Sequence, residues 1–142
     1  MPTRRASAAW EGGLKGGKGT IKTESGAAAG AYGFGSRFEN APGTNPEELL
    51  AAAYASCFAM ALSGALERAG KTAKNVKVDA GATVEKVGEG FKVTKMQVTA
   101  QVSAPGISQD EFQKIAMATK DGCPIAGALK GNVEITLDAK LA

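Results

Sequence analysis

The chain has 142 residues, a formal net charge of +3 at pH 7, and apolar, charged and aromatic fractions of 44%, 22% and 6%. This composition is typical of a soluble globular protein, and the length predicts a single domain over residues 1–142. The lysines are scattered along the chain, so no nucleic acid is required as a partner. Histidine is absent, which excludes Ser-His and Cys-His nucleophile pairs, and two cysteines alone argue against a zinc site.

The N-terminal "MPTRRASAAWEGG" has no apolar stretch behind its arginines, so it does not resemble a secretory signal. We therefore expect a cytoplasmic protein, in which a purely structural disulfide between Cys57 and Cys123 would stay open. The uncharged run at residues 49–66 approaches membrane-spanning length, but Ser, Gly and Tyr interrupt it. We interpret it as a helix buried in protein and expect no membrane partner.

Within residues 6–24, two short strand-like segments flank the glycine-rich "GGLKGG" and predict a hairpin with a loose turn. Residues 31–40, "AYGFGSRFEN", predict a further short extended segment. The next segment predicts the start of a long helix, because Asn45 is a good N-cap, Pro46 is favoured at the first helical position and Glu48 completes a capping box. A glycine at position 70 should end this helix.

Two long alternating segments, residues 74–87 and 91–104, predict an antiparallel hairpin joined at "GEG". Ser108 should cap a helix whose apolar stripe begins at Phe112. "CPIAGALK" predicts a short helix that opens at Pro124, and "NVEITLDAKL" predicts a final strand. These elements together predict an α+β fold in which an antiparallel sheet packs on a long buried central helix.

That central helix is uncharged all round, so it should be covered on every side, whereas one modest sheet covers a single face. A second copy of the chain could cover the other face. We therefore expect a homodimer.

The two cysteines are the candidate reactive groups. Cys57 lies in the middle of the apolar helix, where a lone cysteine is most often inert packing. Cys123 in "GCP" precedes a helix, whose N–H groups and dipole favour a thiolate, so local reasoning makes it the better nucleophile. The run "GGLKGGKGT" does not complete a phosphate loop, because Gly19 stands where Ser or Thr is required. The residues themselves leave two candidate thiols and no base.

Three runs, "YGFGSRFE", "GTNPEELLAAAYASCFAMAL" and "GCPIAGAL", in this order and spacing, resemble the OsmC branch of the OsmC/Ohr family of osmotically inducible and organic hydroperoxide resistance proteins. The resemblance extends from Trp10 to the closing strand. The arginine within "YGFGSRFE" favours OsmC, because it comes earlier in the chain in the Ohr branch. The resemblance implies a thiol-dependent peroxidase that forms an OsmC-like intertwined homodimer.

The same resemblance implies a role for four residues. Cys57 matches the peroxidatic cysteine, Cys123 the resolving cysteine, Arg37 the arginine that contacts the reactive thiol, and Glu47 the carboxylate that holds this arginine. A permanent arginine cation would favour the thiolate and offer N–H donors to a peroxide oxygen, and a carboxylate can accept its fork bidentately. Ala126 departs from the family pattern, in which many members have a hydroxyl residue, and this puts a local hydrogen bond in doubt.

Glu47 and Cys57 are ten residues apart on one predicted helix, hence about 15 Å along its axis. One chain cannot easily bring both side chains to one arginine. Two such helices packed antiparallel across a twofold axis would place Glu47 of one chain beside Cys57 of the other. We therefore expect an active site shared between subunits.

The expected reaction is the reduction of hydroperoxides, with organic ones preferred because Leu50, Phe58 and Met60 would line the pocket. Cys57 would become a sulfenic acid and condense with Cys123 to a disulfide. We expect no cofactor and no metal; an external dithiol, by resemblance a lipoylated protein, would restore the thiols. The alternative is a non-catalytic dimeric binding module with core cysteines and a basic "KGGKGTIK" hairpin. A general disulfide reductase is disfavoured, since the cysteines form no C-x-x-C pair.

Overall fold

The computed structural model describes all 142 residues. Contacts divide the chain into two compact units, residues 1–49 and residues 50–142. The α+β class is confirmed, and the single-domain organisation stays a prediction. The elements in chain order are β1 (Ala6–Glu11), β2 (Lys18–Thr23), β3 (Ala29–Tyr32), α1 (Phe34–Phe38), α2 (Pro46–Arg68), β4 (Asn75–Val87), β5 (Gly90–Ser103), α3 (Gln109–Gly122), α4 (Pro124–Leu129) and β6 (Glu134–Leu141).

The first unit contains an antiparallel sheet in the order β1-β2-β3, which confirms the predicted hairpin. Gly19 of β2 lies between the rings of Trp10 and Tyr32, which are 5.5 Å apart. A Cβ atom at Gly19 would lie 2.7 Å from the Trp10 ring and 2.5 Å from the Tyr32 ring. Only glycine therefore fits between these two side chains.

Residues 34–38 form helix α1 rather than the extended segment that the sequence predicted. The Ser36 hydroxyl accepts the Gly33 N–H at 2.9 Å and donates to the Thr44 carbonyl at 2.7 Å, which closes a tight turn. The rings of Phe34 and Phe38, one turn apart, lie 5.1 Å from each other. These contacts outweigh the weak helix propensity of a segment that contains glycine.

Helix α2 begins and ends where the sequence predicted. The side-chain oxygen of Asn45 accepts the Glu48 N–H at 2.8 Å, and Gly70 follows the helix with a positive φ of 75°. The capping box is only half made, because the Glu48 carboxylate accepts the hydroxyl of Thr44 at 2.7 Å. The carboxylates of Glu47 and Glu48 in the first turn interact favourably with the positive end of the helix dipole and stabilise this end of α2.

The second unit contains a sheet in the order β4-β5-β6. Strands β4 and β5 form the predicted antiparallel hairpin. Strand β6 runs parallel to β5, so this sheet is mixed rather than antiparallel. Helices α3 and α4 lie between these two strands in the chain, and a helical crossover of this kind returns the next strand in the same direction.

The core of the second unit forms between one face of α2, the inner face of β5 and α3. Its fully buried large side chains include Tyr54, Phe58, Leu62, Leu66, Met96, Val102 and Phe112. The opposite face of α2 is open in the single chain, where Met60 is 79% exposed. By length and composition α2 could cross a membrane, but one such helix is weak evidence, because core helices of soluble proteins pass the same test.

Candidate active site

Arg37 and Glu47 form an ion pair within the first unit. The Nε atom of Arg37 donates to both carboxylate oxygens of Glu47 at 3.2 Å, and Nη2 donates to Oε1 at 2.8 Å. The Glu47 side chain is 9% exposed and that of Arg37 is 38% exposed. Because the pair occupies Nε and one hydrogen-bonding edge of Nη2, the Nη1 group remains able to donate to another ligand.

The segment between the two residues holds them in this arrangement. The side-chain amide of Asn45 donates to the Ser36 carbonyl at 3.0 Å, which fastens α1 to the start of α2. Gly43 has a φ of 125°, and a Cβ atom there would lie 2.9 Å from the Ala31 carbonyl oxygen. Sequence reasoning missed Ser36 and Asn45 as supports of Arg37, although the spacing of Asn45 identified its role as a helix cap.

An apolar cavity of about 250 Å³ lies against Arg37 in the first unit. Aromatic and aliphatic side chains form its walls: Trp10, Leu14, Tyr32, Phe34 and Phe38. The Arg37 guanidinium lies 5.1 Å from the centre of the Phe38 ring, a distance at which cation and ring attract. The cavity therefore offers an apolar surface beside a positive charge.

Cys57 and Cys123 come together in the second unit. Both are free thiols, Cys57 half-buried on α2 and Cys123 buried with 2% of its surface exposed. The two thiols lie close enough to interact, because Cys57 contributes to the raised pKa of Cys123. Two neighbouring free thiols are what the implied peroxidatic and resolving pair requires.

Pro124 determines the backbone around Cys123. A residue before proline avoids helical geometry, and Cys123 is extended with φ −79° and ψ 152°, so α3 ends at Gly122 and α4 starts at Pro124. The Cys123 sulfur is the N-cap of α4 and accepts the Ala126 backbone N–H at 3.3 Å. This bond uses the main chain, so the absence of a hydroxyl at Ala126 does not remove it.

The local argument that favoured a thiolate at Cys123 did not include the burial of this side chain. Burial raises the pKa of the Cys123 thiol, the Ala126 N–H lowers it, and the neighbouring Cys57 raises it again, with a net upward direction. The N-terminus of α4 does favour the thiolate, but tertiary packing outweighs it. The packing around Cys123 therefore disfavours its thiolate.

Leu50, Phe58 and Met60, which were expected from the sequence to line one substrate pocket, lie in different environments. Phe58 is fully buried and its ring stacks on Tyr54 with centroids 5.9 Å apart, so it belongs to the core. Met60 lies on the open face of α2, and Leu50 packs at the edge of the core. Aromatic residues of the first unit, not these three, form the apolar cavity next to Arg37.

An α+β fold with two contacting thiols in one unit, and a carboxylate-held arginine beside an apolar cavity in the other, defines a thiol-based redox protein. Residues 38–138 match the family described as OsmC-like protein. The chain is 46% identical to peroxiredoxin OsmC of Escherichia coli strain K12 over 139 residues, which covers 97% of this chain and 96% of that protein. This chain belongs to the OsmC-like protein family, which confirms the resemblance found in its motifs.

A second curated relative and a solved structure are similar to this chain as well. The organic hydroperoxide resistance protein OhrB of Bacillus subtilis is 33% identical over 108 residues, which covers 72% of this chain and 74% of that protein. The crystal structure of an organic hydroperoxide resistance protein OsmC from Legionella pneumophila has a TM-score of 0.75 at 25% identity and covers 99% of this chain and 98% of that chain. The fold is thus shared over nearly the full length.

Proposed function

We propose that this chain is a thiol-dependent peroxidase that reduces hydroperoxides through Cys57 and Cys123. The observation that carries the proposal is the contact between a half-buried thiol and a buried one. The names of the relatives, peroxiredoxin OsmC and organic hydroperoxide resistance protein OhrB, support the same activity. No observation favours the alternative of a non-catalytic binding module.

The reaction proceeds in three steps. The Cys57 thiolate attacks the terminal peroxide oxygen, the O–O bond breaks, and Cys57 becomes a sulfenic acid while the leaving alkoxide takes a proton from water to form the alcohol. The Cys123 sulfur then attacks the Cys57 sulfenic acid, which forms the disulfide and releases water. An external dithiol reduces this disulfide by exchange, and we propose a lipoylated protein of the cytoplasm as its source. No bound cofactor takes part.

Arg37 and Glu47 have the chemistry to support the first step. Glu47 fixes the direction of the guanidinium, and the Nη1 edge of Arg37 is able to donate to a peroxide oxygen as its charge develops. The guanidinium of arginine is a permanent cation that offers several N–H donors, so the chain needs no histidine for this role. We assign Arg37 a catalytic role and Glu47 a positioning role.

The apolar cavity beside Arg37 favours organic hydroperoxides over hydrogen peroxide. An aryl or alkyl group in contact with Trp10, Phe34 and Phe38 would remove apolar surface from water, whereas hydrogen peroxide has no such group. The preference should appear mainly in KM, because the apolar contacts are made in the ground state and the transition state alike.

Two features of the single chain support a homodimer. The buried hydrophobic side chains all lie at position 51 or later, and every residue of β1 is exposed, so residues 1–49 lack a core of their own. The exposed face of α2, which includes Met60, would also be buried by a second subunit. Ala52 lies midway between Glu47 and Cys57 on α2 and is exposed, and its small side chain would let two antiparallel helices approach closely.

This packing would bring Glu47 and Arg37 of one subunit to Cys57 of the other. Mixing Cys57→Ser chains with Glu47→Ala chains tests it, because a mixed dimer contains one site with all residues intact. We expect activity to return in the mixture. Absence of rescue, although mass spectrometry proves subunit exchange, would contradict the shared site.

The activity itself is tested by following the loss of cumene hydroperoxide and hydrogen peroxide with excess dihydrolipoamide. Wild type should turn over both, the organic peroxide at the lower KM, and Cys57→Ser should turn over neither. Cys123→Ser should accumulate oxidised Cys57. If wild type does not turn over, thiol alkylation after one dose of peroxide distinguishes an unsuitable reductant from an inert protein: two unmodified thiols would refute the proposal.

A further inference from the structure

The hydroxyl of Tyr54 connects the helix that contains Cys57 to the end of the helix before Cys123. Tyr54 is fully buried in the second unit, and its hydroxyl donates to the Lys120 carbonyl at 2.9 Å. Its ring stacks on Phe58 with an interplanar angle of 10°, which restricts its position. Burial raises the pKa of this hydroxyl above its ordinary value, so it keeps its proton and remains a donor.

The Lys120 carbonyl lacks a partner within its own helix. The last carbonyls of an α-helix have no following N–H to accept, and α3 ends at Gly122 because Pro124 keeps Cys123 extended. Without another donor this carbonyl would be left unpaired next to the core. The Tyr54 hydroxyl, from a different helix, is that donor.

The hydrogen bond from Tyr54 to Lys120, called the tether below, joins residues that each lie three positions before one of the two cysteines. Tyr54 precedes Cys57 by three residues on α2, so the two side chains are neighbours on the helix surface. Lys120 precedes Cys123 by three residues, with only Asp121 and Gly122 between them. A hydrogen bond between these two points fixes the distance between the two thiol-bearing segments.

We propose that Tyr54 is a positioning residue that holds Cys123 against Cys57 for disulfide formation. This role rests on the two-cysteine reaction proposed above. In that step the S–S bond forms and the S–O bond of the Cys57 sulfenic acid breaks, and the Cys123 proton leaves with the hydroxide as water. The rate of disulfide formation depends on the fraction of time that the two sulfurs are in contact, and the tether increases this fraction. The attack of Cys57 on peroxide does not involve Cys123 and is independent of the tether.

The test compares Tyr54→Phe with Thr119→Val. Both substitutions remove a hydroxyl that donates to a backbone carbonyl, since the Thr119 hydroxyl, largely buried in α3, donates to Ile115 at 2.7 Å. Only the Tyr54 bond connects two helices. Reduced protein is mixed with one equivalent of cumene hydroperoxide, and peroxide loss and the Cys57–Cys123 disulfide are followed over time by quenching and mass spectrometry.

We expect the disulfide to form about fivefold more slowly in Tyr54→Phe, the factor in rate that corresponds to an ordinary hydrogen bond of about 1 kcal/mol. Peroxide loss in the first turnover should be unchanged, and over-oxidised Cys57 should increase at excess peroxide. Thr119→Val should form the disulfide at the wild-type rate. A tyrosine analogue with an amino group in place of the hydroxyl, which retains an N–H donor, should restore the rate.

Three results would overturn this role: a wild-type rate of disulfide formation in Tyr54→Phe, an equal slowing in Thr119→Val, or an equal slowing of both steps. If Tyr54→Phe does not fold, 4-fluorophenylalanine at position 54 fills the space of the hydroxyl without donating and is held to the same expectations. A wild-type protein that consumes peroxide and forms no Cys57–Cys123 disulfide would instead refute the proposed two-cysteine reaction, and this role with it.

Discussion

The ion pair of Arg37 and Glu47 should contribute measurably to the free energy of unfolding. Replacing Glu47 by Ala removes three hydrogen bonds of 2.8–3.2 Å between charged groups. Such bonds contribute about 1.5–3 kcal/mol when a charged partner is involved. Solvent screens part of this energy because the Arg37 side chain is 38% exposed. We expect Glu47→Ala to lower the free energy of unfolding by about 2 kcal/mol, and Glu47→Gln, which keeps one acceptor oxygen, by about 1 kcal/mol.

The effect on activity should be larger than the effect on stability. Without the Glu47 carboxylate, the Arg37 guanidinium can adopt other orientations. A misplacement of about 1 Å can lower a catalysed rate by about 100-fold. We expect a loss of this order in the second-order rate of Cys57 oxidation for Glu47→Ala, measured by stopped flow with cumene hydroperoxide.

The matched control is Glu48→Gln, an identical change one residue along the same helix turn. Glu48 is exposed and its carboxylate accepts a single hydrogen bond from Thr44. This variant should react at the wild-type rate and unfold within about 0.5 kcal/mol of wild type in urea. If Glu47→Gln and Glu47→Ala are as reactive as Glu48→Gln, the role of the ion pair is refuted.

Three further predictions concern backbone, pocket and pH. Gly43→Ala should destabilise the chain by about 1–3 kcal/mol in urea unfolding, whereas Gly13→Ala, with open space around it, should not; equal effects would contradict the backbone argument. Phe34→Ala should raise KM for cumene hydroperoxide and leave that for hydrogen peroxide unchanged, and a parallel change in both would exclude the cavity as the substrate site. Because burial raises the pKa of Cys123 above the ordinary 9.0 and the thiolate is the nucleophile, disulfide formation should still accelerate above pH 9.0; a plateau below that pH would contradict the raised pKa.

The features that the sequence predicted correctly are those with local causes. Asn45 and Gly70 mark the ends of α2 because a cap and a left-handed glycine act within one helical turn. Pro124 likewise determines the short helix after Cys123 through its immediate neighbours. Alternating residues predicted the β4-β5 hairpin, because the side-chain period of a strand is visible in the chain itself.

The features that it did not predict depend on distant residues. Helix α1 forms because the Ser36 hydroxyl reaches the Thr44 carbonyl, a contact that no local pattern reveals. The direction of β6 follows from the path of two helices, and the raised pKa of Cys123 follows from its burial by the core. The Tyr54–Lys120 bond joins residues 66 positions apart and left no signal beyond a polar group in an apolar run.

The central claim, that Cys57 and Cys123 act together on a hydroperoxide, is tested most directly by mapping their oxidation states. Fully reduced protein receives one equivalent of cumene hydroperoxide, remaining thiols are alkylated, and the peptides that contain the two cysteines are identified by mass spectrometry. The structure predicts one Cys57–Cys123 disulfide within a single chain, and in Cys123→Ser a Cys57 oxidised to sulfenic or sulfinic acid. Two alkylated thiols after the peroxide has been consumed would contradict the account.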